Sequence, residues 1–361
     1  MAKLTWKVAK GATDLTSLVR SIDYTFGRQN AVSAYGPNFL SFTMTNTNNG
    51  ASLPAVQDAI TVSVKGTGAY ENAFVGRVVQ RNFNDGPGTA LNSTCTIVIA
   101  NSIEPLGTLN QTNFTAVASK TVLNSLSASS YYGDLAGSTD FNMSAATGQN
   151  GLSLANNVIA GDGGIVAFTS YRKPTFFPLE ISTAITFGPS ASATQIAYQT
   201  FIRVEGSSNG TFFTSATVTD LVTTTSANAA NVLYYGQRYL TVTSAESATS
   251  SNADWYANVF SDPTEATLEF SWTDTAQNSA GLDLTISNLF KNGNVKFYSC
   301  SYTPPGGVSK SAYYWTEQIS VSATVDQTTV SMIMTPASQY GRFILNDAVF
   351  GVLDTSRLGV S

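Results

Sequence analysis

Val330-Ser331-Met332-Ile333-Met334-Thr335-Pro336 carries the period of a strand: Val330, Met332 and Met334 fall on one side, Ser331, Ile333 and Thr335 on the other. Pro336 ends it, because proline has no backbone N–H to give a ladder. A second apolar run, Phe343-Ile344-Leu345-Asn346-Asp347 to Phe350-Gly351-Val352-Leu353-Asp354, then carries the chain almost to Ser361. Termini fray unless something ties them down, so Phe343, Leu345, Phe350 and Leu353 are expected to be buried, on the same chain or a neighbouring one.

Upstream the same alternation recurs in Ile319-Val321-Ala323-Val325, Leu282-Leu284-Ile286 and Leu268-Phe270-Trp272, all read as strands. Toward the start, Ile22-Tyr24-Phe26, Leu40-Phe42-Met44, Ile60-Val62-Val64, Ala73 to Val79 and Cys95-Ile97-Ile99 alternate likewise. Asn48-Asn49-Gly50, Gly66-Thr67-Gly68 and Asp85-Gly86-Pro87-Gly88 supply the turns between them. Gly76, inside a strand, marks a bulge or bend. The middle is mixed. Phe114, Val117, Val122 and Leu126 lie on one helical stripe, and Leu152, Ala155, Val158 and Ile159 on another that Gly161 closes. Gly163 to Phe168 reads as a short strand, so Gly161-Asp162-Gly163-Gly164 precedes a strand and is a turn, not a phosphate cradle. A further helix is expected over residues 251–260. The fold class is therefore mainly β with small helical inserts: two β-rich barrel or sandwich bodies around a mixed α+β region.

Composition narrows the chemistry. Of 361 residues only 11 % are charged, against about 25 % in an ordinary domain, and the net charge is −5. No basic block offers the footprint needed to grip nucleic acid. The absence of histidine removes Ser-His-Asp and Cys-His catalysis and histidine metal ligation together. Cys95 and Cys300 are expected to be buried free thiols. Paired carboxylates hydrolyse glycosides without histidine, but Asp134, Asp140, Asp162, Asp254 and Glu269 have no spacing that pairs any two. The expectation is no enzyme, no cofactor and no metal. No signal peptide follows Met1 and no stretch reaches the roughly 18 apolar residues of a membrane span, so membrane insertion is not expected.

Two binding readings remain on the residues. Tyr131, Tyr132, Tyr313 and Trp315 lie near Gly, Ser and Pro and form the candidate exposed aromatics of a carbohydrate-binding surface; against it, strand aromatics pack by default. Gly27-Arg28 and Gly76-Arg77 look alike, and Arg77 in an apolar strand calls either for a place at a rim or for an ion pair at an interface, with Asp58 or Glu71 as candidate partners.

The order of motifs resembles the minor tail proteins and baseplate hubs of long-tailed bacteriophages. The segments that carry it are Asp14 to Ile22 with Gly27-Arg28; Leu40 to Asn46 with Phe74-Val75-Gly76-Arg77-Val78; Gly163 to Arg172; Tyr234-Tyr235-Gly236-Gln237-Arg238-Tyr239-Leu240; and Phe343 to Asp347 with Phe350 to Asp354. What this resemblance implies is a tube-like β-barrel over residues 1–110 and a mixed α+β insert over 111–195. A second tube-like module follows over 196–335, with a helix-containing insert at about 243–290, and then an extended docking segment over 336–361. It also implies a structural virion protein at the tail tip, assembled in the host cytoplasm, that rings the DNA channel. Its partners would be itself (a homotrimer, with a hexamer or distal tail ring as the alternative), a distal tail or tube protein, the tape measure and a fibre or receptor-binding protein. DNA would only pass through. Arg77, Tyr235 and Arg238, with the four closing apolar residues, are the interface candidates. Many relatives continue past the Phe-Gly-Val-Leu-Asp segment, so host recognition and wall cleavage are expected of a separate protein.

Overall fold

The computed structural model describes residues 3–28, 33–36, 38–46, 52–84, 93–101, 150–161, 186–188, 195–197, 200–203, 215–219, 223–227, 229–235, 237–243, 253, 257, 268–290, 297–302, 308 and 310–336. In chain order the strands are β1 (Thr5–Lys10), β2 (Thr13–Asp14), β3 (Val19–Gly27), β4 (Phe39–Thr45), β5 (Ala59–Lys65), β6 (Glu71–Asn84) and β7 (Thr94–Ala100). Helix α1 (Gly151–Gly161) follows, then β8 (Thr186–Gly188), β9 (Gln195–Ala197), β10 (Thr200–Arg203), β11 (Ser215–Thr219), β12 (Thr223–Ala227) and helix α2 (Ala229–Tyr235). The rest are β13 (Tyr239–Thr243), β14 (Leu268–Thr273), helix α3 (Ser279–Thr285), β15 (Phe297–Tyr302), β16 (Lys310–Thr324) and β17 (Thr328–Pro336). The mainly β class read from the sequence holds.

Twelve strands share one sheet, in the order β10-β14-β17-β16-β3-β4-β7-β6-β5-β1-β2 with β15 on β16, and every pairing in it is antiparallel. The alternation in the closing strand decides its orientation: Val330, Met332 and Met334 are at most 1 % exposed, while Ser331 and Ile333 look the other way. The N-terminal strands curl. Trp6 of β1 and Tyr24 of β3, at opposite ends of the run β1-β5-β6-β7-β4-β3, meet edge to face at 6.4 Å, with Phe74 of β6 6.0 Å from Tyr24. Such pairs add about 0.5–1.5 kcal/mol beyond the area they bury.

The two β-rich ends of the chain are one sheet, sewn along β3 and β16. Ser21–Gly27 pairs with Gln318–Thr324 in unbroken antiparallel register. Side chains sew it again near β1. The Trp6 indole N–H donates to Thr328 Oγ1 at 2.8 Å, and the buried Asp274 carboxylate accepts from the backbone N–H groups of Leu4 and Thr328, each at 3.1 Å.

Leu282-Leu284-Ile286, read above as a strand, is helical. Asn278 caps α3 by accepting the Gly281 N–H at 2.9 Å, which satisfies a donor that the first turn leaves open. Leu282, Ile286, Leu289 and Phe290 then fall on the buried side, the last three in a π-helical turn, Ile286–Phe290. Phe290 packs on Trp6 at 5.6 Å, and Asp283 accepts from the Thr67 N–H at 3.1 Å, so this helix is docked on the N-terminal strands. The period-2 match failed because three residues at i, i+2 and i+4 satisfy a strand and, at i and i+4, a helix as well.

The helix over Leu152 to Ile159 is present, with Leu154, Ala155 and Val158 buried. The helical stripe at Phe114 and the strand at Gly163 lie outside the described residues. Cys95 and Cys300 are free and fully buried, Cys300 with its sulfur 3.9 Å from that of Met334. Burial pushes both thiols up. Neither is therefore expected to react with a thiol reagent in the native protein, while both should react in denaturant; mass spectrometry of the labelled chain reads this directly.

Candidate functional site

Two places hold polar chemistry that packing alone does not require. The first lies where β3 leaves the sheet. Gly27 has φ +102, and a Cβ on it would overlap the Glu317 carbonyl oxygen. Glycine thus lets β16 come close, and the Arg28 N–H donates to that same carbonyl at 2.8 Å. β16 is bulged here, its pairing with β17 shifting between Thr316 and Gln318. The bulge turns Glu317 inward onto Arg28, Nε to Oε2 2.7 Å, with the two side chains 2 % and 0 % exposed. Tyr35 covers the guanidinium, its ring centroid 5.0 Å away. Asn156 of α1 holds Tyr35 in turn, accepting its N–H and donating to its carbonyl, both at 2.9 Å. Burial pushes the Tyr35 hydroxyl up to about 12, against the nearby Arg28 charge that lowers it. One buried ion pair therefore joins β3, β16 and α1.

Arg28 was not singled out from the sequence; its twin, Arg77, was. The two Gly-Arg pairs share half of the device. A Cβ on Gly76 would overlap the Ala100 carbonyl oxygen, so that glycine serves a close approach of β6 and β7. Arg77 points outward, however, donating to the Gln57 carbonyl at 3.0 Å, and the expected partner Asp58 is bound by Lys10 at 2.5 Å. Arg77 is exposed, which matches the rim alternative, and the buried ion pair is at Arg28.

The second place is the face of the sheet opposite the core. Adjacent strands bring their outward residues into register, in three lanes. One runs Ser271-Ser331-Ser320-Thr25-Phe39-Ala100 and ends on the exposed Arg77 of β6. The next runs Thr329-Ser322-Asp23-Ser41-Val98, and the third Thr324-Ser21-Thr43-Thr96. Every position except Phe39, Ala100, Arg77, Asp23 and Val98 carries a hydroxyl. Several bond across strands: Thr25 to Ser320 at 2.9 Å, Ser322 to the Asp23 carboxylate at 2.6 Å, Thr43 to Thr96 at 3.3 Å. A groove of about 610 Å³ lies over the first two lanes, edged by Gly36 and Asn38.

The remaining candidates separate. Trp315 is 1 % exposed and buried in the sheet, so it offers no sugar platform; it is a strand aromatic packing inward, next to the bulge. Tyr313 lies in β16 opposite Ser299, Tyr235 closes α2, and Arg238 is exposed. Tyr131, Tyr132, Phe343, Leu345, Phe350 and Leu353 lie outside the described residues, as do Asp134, Asp140, Asp162 and Asp254. Glu269 sits in β14 opposite Ile333. Among the described residues no group of three Asp, Glu or Cys is placed to hold a metal ion, and no helix is long and apolar enough to cross a membrane.

Solved structures share this architecture. A tail protein from Neisseria meningitidis matches with a TM-score of 0.62 at 10 % identity, over 92 % of this chain and 96 % of that one. The 43 kDa tail protein of prophage MuSo2 from Shewanella oneidensis matches with 0.61 at 12 % identity, over 92 % and 98 %. This chain has the fold of those tail proteins. A PdpA–VgrG complex matches more loosely, with 0.50 at 7 % identity, over 94 % of this chain and 65 % of that one. No protein-family profile matches the sequence, and no curated protein matches it either.

Proposed function

We propose that this chain is a structural subunit of a phage tail tip, hub-like, that assembles with copies of itself into a ring around the DNA channel. The observation that carries the reading is the fold, shared along 92 % of the chain with two tail proteins nearly end to end. The looser likeness to a PdpA–VgrG complex supports a place among tail and spike assemblies. Two β-rich ends fused into one twelve-stranded sheet give each subunit a long wall, and a few such walls close a ring without any further chemistry. We favour a homotrimer; a hexamer is the alternative count. The neighbours in this reading are a distal tail or tube protein, the tape measure and a fibre or receptor-binding protein, in the virion. The closing apolar residues Phe343, Leu345, Phe350 and Leu353 clasp the same subunit or the next, with Arg77, Tyr235 and Arg238 nearer the surface contacts.

Native mass measurement of the purified full chain tests this. A discrete trimer or hexamer is expected, and a chain ending at Pro336 should lose it while keeping the buried N-terminal core. A monomer at every concentration, with no density for the chain in a cryo-EM map of the tail, would overturn the proposal.

A further inference from the structure

We infer that Phe350-Gly351-Val352-Leu353-Asp354 lies along a groove between β1 and β3 of the same chain, adding a short strand to the edge of β1. The inference rests on the clasp reading of the closing residues and does not need the ring. The groove holds about 250 Å³ and opens where the N-terminal strands curl round, with β1 at one end of the run and β3 at the other. Trp6, Val8, Val19, Ile22 and Val325 give it an apolar lining. β1 has a free place on that side. The Val8 N–H donates to Thr16 Oγ1 at 3.0 Å and its carbonyl accepts from the Leu15 N–H at 2.8 Å, while the Leu4 N–H donates to Asp274. Alternation turns the N–H and C=O of Trp6, between them, to the same edge. β2 covers that edge at Ala9 and Lys10, but among the described residues no strand lies beside Trp6 there. Thr16, which takes the Val8 N–H, lines the groove, so this edge faces it. An N–H and a C=O in an apolar groove recognise an extended backbone.

Charge and reach choose the occupant. Residues 1–101 hold eight Lys and Arg against five Asp and Glu, and residues 102–361 hold ten against eighteen. The groove follows this bias. Lys3 and Arg20 line it and no carboxylate does; Lys3 donates to the Val325 carbonyl at 2.9 Å and makes no ion pair among the described residues. The closing stretch carries the complement twice, as Phe343 with Asp347 and Phe350 with Asp354. In a strand, Phe350, Val352 and Asp354 share one face, so two apolar side chains and a carboxylate meet the groove together. Reach separates the two copies of the pattern. β17 runs away from the groove, from Thr328, which is bonded to Trp6, to Pro336, a distance of roughly 26 Å. The seven residues from Pro336 to Phe343 span at most about 25 Å, which falls short of the groove beyond Thr328. The fourteen to Phe350 span up to about 50 Å, enough to return and lie down in it.

Hydrogen exchange of the full chain, resolved to single amides, tests this. The Trp6 amide is expected to be protected. Phe350→Asp and Val352→Asp should each speed its exchange by about a hundredfold, with the Tyr24 amide of β3 unchanged as the internal control. Lys3→Glu should speed it as well, and Asp354→Lys in the same chain should restore the slow rate. Equal Trp6 exchange in the unaltered chain and in both aspartate variants would overturn the inference. Protection that vanishes on dilution would also overturn it, because the occupant would then be the segment of another copy. Native mass is the separate readout of the ring. A monomer whose Trp6 amide stays protected would remove the ring and leave this docking standing.

Discussion

Glu317→Ala is expected to destabilise the folded chain by about 3–5 kcal/mol, the usual result of leaving a buried charge without its partner. Arg28 would keep its guanidinium under the Tyr35 ring, 2 % exposed, with its counter-charge gone. Arg28→Ala should cost a similar amount by stranding the carboxylate. The pair itself is a different matter. Replacing both residues together, Arg28→Met with Glu317→Leu, should recover most of the loss, since a well-packed apolar pair often does as well as a buried ion pair. Urea denaturation of the three variants checks this. A single substitution costing under about 1 kcal/mol would mean that solvent reaches the pair and that the seam is looser than its geometry implies.

Trp315→Ala should be nearly as damaging, about 3–5 kcal/mol, through the cavity that a fully buried tryptophan leaves. The same variant separates packing from recognition. If Trp315 stabilises the sheet, its loss lowers the denaturation midpoint; if it presented a sugar surface, stability would hold and saccharide binding would fail. Trp315 lies two residues from Glu317 on the same strand, so the combined variant Trp315→Ala with Glu317→Ala should cost less than the sum of the two.

Much of the architecture was legible because strands write their orientation into alternating positions. The closing stretch is the clear case: the side holding Val330, Met332 and Met334 is the buried one. The same rule misassigned Leu282-Leu284-Ile286, where three apolar residues fit both periods and the deciding signal was Asn278 at the N-cap. The ion pair was out of reach for another reason. Arg28 and Glu317 are 289 residues apart, and neither sits in an unusual local pattern beyond a glycine before the arginine. That glycine was noticed, but at Gly76 an equally tight approach leaves Arg77 outside, so the motif does not say which arginine turns in. The hydroxyl lanes were half visible. Alternation placed Ser and Thr outward on each strand, but only the register of six strands lines them up.

The seam between β3 and β16 also sets a clock. A ribosome adds about 5–20 residues per second, so the strand that completes β3 emerges some 15–60 s after β3 itself. For that interval the outer edge of β3 has no partner, and an open edge is a template for pairing with another chain. That edge stays open to such pairing until Gln318–Thr324 arrives. Closing so long a loop also makes folding slow relative to a chain of local contacts. The twelve-stranded sheet is therefore complete only once β16 and β17 have been made.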